Sequence, residues 1–274
     1  MNVRRLDSFA LGTDVAPVAG VKMRRVALDA PWEWLAAGWR DLWTVPSISL
    51  TYGALFAALA AAMALGLTVG GLESLILAFG GGFLLIGPMA AVGLYETSRR
   101  LQQGQRPTLR GVLMSVRAAK GQLGFFGAIL AFCYFLWLQL ASLLFMLFFG
   151  GGRPWPPVSD FVPTLLFTPH GLGLLVVGAI VGGILAALVF SISAVSVPLL
   201  MTRRLDAVSA IAVSLRAVRA NWQPMALWAA LIAGFMALGI TTIFVGLVVM
   251  FPLVGHATWH AFRDVVVEEA GSYL

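Results

Sequence analysis

The sequence predicts an all-α fold, a polytopic bundle of transmembrane helices. Three observations predict it. The chain of 274 residues is 60% hydrophobic and only 11% charged, where a soluble domain carries about 25% charged residues. Its apolar residues fall into long uncharged runs. Its basic residues are strung between those runs and form no single basic domain. A net charge of +6 therefore fits the positive-inside rule and not a nucleic-acid partner.

The elements follow in order. Residues 1–29 are expected to be a flexible cytoplasmic tail. The first apolar run starts near Ile48, too late for a cleavable signal peptide, so the first span is expected to act as an uncleaved membrane signal. Ahead of it, Pro31 to Val45 carries Trp32, Leu35, Trp39 and Leu42 near helical spacing, with Trp43 on the same side. Asp29 is the expected N-cap and Pro31 lies in the first turn. Tryptophan favours the headgroup layer, so this helix is expected to lie flat on the inner leaflet, with Glu33, Arg40 and Asp41 toward water or headgroups.

A bilayer core of about 30 Å requires roughly 20 apolar helical residues. Four runs qualify: Ile48 to Val69, Leu75 to Tyr95, Leu123 to Phe149 and Leu172 to Met201. Pro224 to His260 is a fifth uncharged stretch, roughly 55 Å as one helix and too long for one crossing. Two helices with a turn near Gly239 to Thr242 would resolve it, so the count is five or six. With the N-terminus in the cytoplasm, 17 of the 18 Lys and Arg fall inside and only Arg153 outside. Both termini are then cytoplasmic, with a membrane domain over 30–265 and a tail over 266–274. The outer loop from Gly150 to Gly171 is read as carrying a short helix over Phe161 to Phe167, capped by Ser159 or Asp160.

A weak internal repeat favours six. The segments starting at Ala30, Pro107 and Asp206 each place an arginine ten residues on, at Arg40, Arg117 and Arg216. Three positions further stand Trp43, Lys120 and Arg219. Pro88 and Pro252 each precede an arginine, Arg99 and Arg263, by eleven residues. The implied unit is an amphipathic surface helix, a span out and a span back, three times over. Trp32, Trp39, Trp43, Arg40, Arg117, Lys120, Arg216 and Arg219 are thus the expected membrane-interface residues. Their basic members suit anionic lipids, although topology alone accounts for them.

Chemistry is sparse. The span interiors hold no Asp, Glu, Lys or Arg, the residues that mark ion and proton paths. Glu96 stands beside Arg99 and Arg100 and is read as an interfacial ion-pair partner, not a buried carboxylate. No phosphate loop, zinc-protease helix motif, serine elbow or Cys-x-x-Cys occurs, and Cys133 is the single cysteine. No cofactor and no catalytic residue is expected. His256 and His260, at i and i+4, share a helix face and are the metal candidates, with a carboxylate such as Glu96 or Asp264 needed as third ligand. Ordinary hydrogen bonding at the inner interface is the competing expectation. The glycine pairs Gly66/Gly70 and Gly178/Gly182 and the run Gly80 to Gly82 invite close packing, within one chain or between copies.

The segments LDAPWEWLAAGWRDLW, GPMAAVGLYETSRRLQQGQRPTL and FPLVGHATWHAFRDV resemble an uncharacterised family of bacterial inner-membrane proteins, domain-of-unknown-function family 2189. The resemblance implies six spans and an inner-membrane address, and it supplies no catalytic residue. The expected function is a non-catalytic accessory or scaffold protein with the bilayer and other membrane-protein subunits as partners. The alternatives are a passive or secondary carrier for a small uncharged or lipid-like molecule, and a metal-dependent membrane enzyme resting on the two histidines.

Overall fold

The computed structural model describes residues 14–72, 75–118, 120–150 and 158–267. Two short strands, β1 (Asp14–Val18) and β2 (Val21–Arg24), come first among the described residues and pair as an antiparallel hairpin. Its two-residue turn, Ala19–Gly20, has positive φ at both positions, which matches the right-handed twist of the paired strands. Val21 and Met23 are fully buried. This part of the expected flexible tail is thus folded. Lys22 accepts a hydrogen bond from the backbone N–H of Val267 at 3.0 Å, and Met23 bridges to Val266, so the start of the expected C-terminal tail is ordered against it.

Every longer element is helical. The surface-helix segment is α1 (Ala30–Thr44) and continues into α2 (Pro46–Val69). The next apolar run is divided into α3 (Ile76–Leu85), α4 (Gly87–Ala90) and α5 (Val92–Gln102). Then come α6 (Leu109–Ala118), α7 (Lys120–Phe149), α8 (Val158–Phe167), α9 (Pro169–Ser193) and α10 (Ser196–Thr202). The last three are α11 (Ala207–Ala220), α12 (Trp222–Thr241) and α13 (Leu247–Val265). Among the described residues, four stretches are long and apolar enough to cross a membrane: Pro46–Val69, Gly121–Phe149, Pro169–Thr202 and Trp222–Thr241. The divided run 76–102 and α13 are the two remaining stretches that the sequence reading counted as crossings.

Proline explains the divisions. It lacks an N–H and its ring meets the carbonyl four residues back. Pro198 follows the break at Ala194 and Val195, and Pro88 lies just past the break at Ile86. Ser214 of α11 serves the first break. Its hydroxyl donates to the Ser191 carbonyl at 2.7 Å and accepts from the Val195 N–H at 3.2 Å. Pro252 lies inside α13 and leaves the Val248 carbonyl without its helical donor. There Gly53 of α2 comes so close that a Cβ would collide with that carbonyl.

Several expected boundaries move. The turn splitting 224–260 runs from Thr242 to Gly246, a few residues past Gly239, because Ile243 and Phe244 take positive φ and Thr242 accepts from the Gly246 N–H at 2.9 Å. Helix α8 begins at Val158, so Ser159 and Asp160 fall within the helix and do not precede it. Asp29 occupies the N-cap of α1 but forms no side-chain cap bond. Asp206 does cap, accepting from the Ser209 N–H at 2.9 Å.

The chain divides into two compact units. One comprises 58–87 and 127–189. In it Trp137 of α7 donates to the Ala78 carbonyl at 2.6 Å. Gly81, Gly82 and Gly182 take up the rings of Trp137 and Tyr134, whereas Gly80 and Gly178 face open space. The small residues that pack here therefore do so within the chain. The other unit comprises 1–57, 88–126 and 190–274 and is built around α13, against which α1, α5 and α12 pack.

Candidate functional site

Helix α1 carries two apolar stripes. Ala30, Pro31, Trp34, Leu35, Gly38 and Leu42 are buried against α13, and Gly38 allows a contact in which a Cβ would lie 2.7 Å from the Ala257 nitrogen. Trp32, Trp39 and Trp43 form the second stripe and are 55%, 46% and 51% exposed, at spacings of seven and four residues that keep one helix side. Leu35 and Leu42 were expected on the tryptophan side and instead belong to the core. Trp39 and Trp43 meet edge to face at 5.6 Å. Arg40 is exposed, as are Arg216 and Arg219 on α11. The side chains of Arg117 and Lys120 lie outside the described residues.

Asp41 corrects the sequence reading most sharply. It was expected to face water or headgroups, yet its side chain is 16% exposed, because it sits one turn from Gly38 on the side of α1 that meets α13. It accepts from the Ser98 hydroxyl at 2.7 Å and from His260 Nε2 at 2.8 Å. Ser98 Oγ also lies 2.7 Å from His256 Nδ1. On the other side of that ring, His256 Nε2 is 2.9 Å from Ser49 Oγ. His260 Nδ1 faces the Gln102 amide nitrogen at 3.3 Å, and the Gln102 oxygen accepts from the Trp259 indole at 2.9 Å.

The result is one connected polar cluster drawn from α1, α2, α5 and α13. His256, Ser49 and Ser98 are fully buried within it. Such a cluster is tolerable only when each member is satisfied, and no buried side-chain nitrogen or oxygen among the described residues is without a partner. Burial works against a charged Asp41, but the hydrogen bond and charge of His260, then the Ser98 hydroxyl, outweigh it and hold the carboxyl below the ordinary aspartate range.

His256 and His260 do share a face, as their spacing implies, but all four ring nitrogens have protein partners. No group of three or more potential metal ligands occurs among the described residues. The suggested third ligands are engaged elsewhere. Glu96 receives Arg99 at 2.7 and 2.9 Å and Arg100 at 2.7 Å, the ion pairing that was expected, but the carboxylate is buried, where an unburied one was expected. Asp264 holds Arg24 at 2.7 Å and the Trp34 indole at 3.0 Å.

Sequence reasoning found the two histidines and missed Asp41, Ser49, Ser98 and Gln102. The available signal was Asp41's spacing from Trp34 and Gly38, which places it on the side of α1 opposite Trp32, Trp39 and Trp43. Ser49 and Ser98 carried none, because a single serine in an apolar helix is common.

Residues 75–202 match the family model described as "Predicted integral membrane protein (DUF2189)", the family that the sequence resembles. No curated protein and no solved structure matches the chain.

Proposed function

We propose that this integral membrane protein is a non-catalytic accessory or scaffold protein of a membrane complex. The observation that carries this reading is the closed polar cluster. Its groups are satisfied by one another, and in doing so they fasten four helices into one body, leaving the tryptophan stripe of α1 and Arg40, Arg216 and Arg219 outward. A body of that kind presents a fixed surface and offers no engaged group to a substrate.

The accompanying topology is six crossings in three units, with both termini on the cytoplasmic side of a bacterial inner membrane. The element order supports it. Helices α1, α6 and α11 each precede a long apolar helix, α2, α7 and α12, and each of these is followed by a return segment. The tryptophan stripe and the arginines then rest on the inner leaflet, where anionic headgroups complement the basic side chains.

The test is native mass spectrometry of the protein released mildly from its own membrane. A stoichiometric protein partner is the expected result; repeated recovery of the protein alone sinks the accessory reading. One observation favours a second reading, that of a carrier. Discontinuous helices are how many carriers build a central site, and two return segments are broken beside a proline. A small molecule or lipid that co-purifies reproducibly with an otherwise solitary protein would support that alternative.

A further inference from the structure

We propose that the buried His256 is a proton-binding site, built to hold one extra proton as an imidazolium between Ser49 and Ser98 with Asp41 as its counter-ion. The inference goes beyond the accessory reading and stands whether the protein is a scaffold or a carrier.

A serine hydroxyl has one hydrogen and can accept as well. Ser98 Oγ lies 2.7 Å from Asp41 Oδ2. An ionised Asp41 can only accept, so the Ser98 hydrogen points to it. Ser98 must then accept from His256, which places a hydrogen on Nδ1 at 2.7 Å. This fixes the tautomer of the neutral ring, with Nε2 as the acceptor.

Ser49 decides what happens at Nε2. Its Oγ is 2.9 Å from Nε2 and 3.1 Å from the Val45 carbonyl. With the ring neutral, the Ser49 hydrogen points to Nε2. With a proton added to Nε2, that N–H donates to Ser49 Oγ, and the Ser49 hydrogen turns to the Val45 carbonyl. Atoms and charge balance: one proton enters, the new N–H bond forms on Nε2, and no other bond breaks. Every donor has an acceptor in both states, and only one hydroxyl rotates. A histidine serving only as a core spacer needs no partner that can reverse its role.

The charged groups around the ring pull in opposite directions: Asp41 favours the imidazolium, while burial and a charged His260 oppose it, so the site depends on Asp41 and on the two serines. Asp41 of α1 and His260 of α13 are the charges that act on it. Helix α5 contributes the Ser98 hydroxyl and the Gln102 amide, while its Glu96 is engaged by Arg99 and Arg100. Helix α2 contributes Ser49 and Tyr52, whose phenol lies against Gly93. Helix α12 has no ionisable residue, and Asp264 of α13 is held by Arg24.

The experiment is nitrogen-15 NMR of the full chain, labelled at histidine, in lipid nanodiscs across pH. With three histidines in the sequence, the resonances are few. His256 is expected to show a protonated Nδ1 and an accepting Nε2 when neutral, and to gain a proton on Nε2 as pH falls while circular dichroism remains unchanged. Asp41→Asn should lower the midpoint of that step by about one to three pH units, the usual effect of losing an opposite charge at this range. Ser49→Ala should also lower it, since the imidazolium loses its acceptor. The proposal is overturned if His256 keeps one protonation state wherever the chain is folded, or if its neutral form carries the proton on Nε2. It is overturned equally if neither variant moves the midpoint. Should Asp41→Asn fail to fold, the wild-type titration and Ser49→Ala still decide.

Discussion

Ser98 accepts from one partner and donates to another, and its loss would strand both the His256 Nδ1–H and one bond of the Asp41 carboxylate. Leaving a buried group unpaired costs about 1–3 kcal/mol, so Ser98→Ala should destabilise the protein by about 2 kcal/mol, read from denaturant unfolding in detergent. Asp41 gives a pH dependence. Its carboxyl is held below the ordinary range, so the stability it contributes is complete above the unfolded value of about 4 and is lost as pH falls through the lower folded value. Thermal unfolding measured from pH 6 downward should show a decline below about pH 4 that is reduced in Asp41→Asn. The role of Ser98 was not legible in the sequence, and the one sign of Asp41's was its place on α1 opposite Trp32, Trp39 and Trp43. Asp41 follows Arg40 in a helix rich in tryptophan, where a solvent-facing ion pair is the ordinary expectation, and only the packing of α1 on α13 reverses it.

Helices were far more legible than their partners, because apolar length is a property of the run itself. The boundaries at Ala30, Pro46, Trp222 and Val265 lie close to what composition implies. The breaks within 76–102 and 169–202 were less visible, since proline does not reveal from sequence whether neighbouring side chains will serve the freed backbone groups. The face of α1 that packs is set by Gly38, whose missing side chain is what admits Ala257. Gly38→Val should therefore force α1 off α13, with a loss of about 1–3 kcal/mol, the usual cost of overpacking, and a marked drop in folded yield by size-exclusion chromatography. The opposite stripe gives a different result. A nitroxide placed at Trp39→Cys, in a Cys133→Ser background, should show shallow interfacial depth by power-saturation spectroscopy; a fully aqueous signal would contradict the membrane-surface role of Trp32, Trp39 and Trp43.

At the scale of the molecule, membrane residence follows from the family match over 75–202 and from four helices of spanning length. The clustering of arginines on one side of the membrane sets the expected labelling pattern. In the Cys133→Ser background, a cysteine at Ile243, in the exposed turn between α12 and α13, should react with a membrane-impermeant maleimide on intact cells. A cysteine at Gln105, beside the arginines, should react only after lysis. The reverse pattern would invert the topology. One contact also has a consequence in time. Arg24 grips Asp264 across 240 positions of chain, and Lys22 and Met23 pair with the residues just beyond. At the ribosome's pace of about 5–20 residues per second, that separation is a wait of tens of seconds. During it the early strands and the inward side of α1, with Trp34 and Asp41, have been made but their partners have not. The nascent chain must hold them unfinished at the membrane until α13 emerges, which makes the closing of this unit one of the last events of its birth.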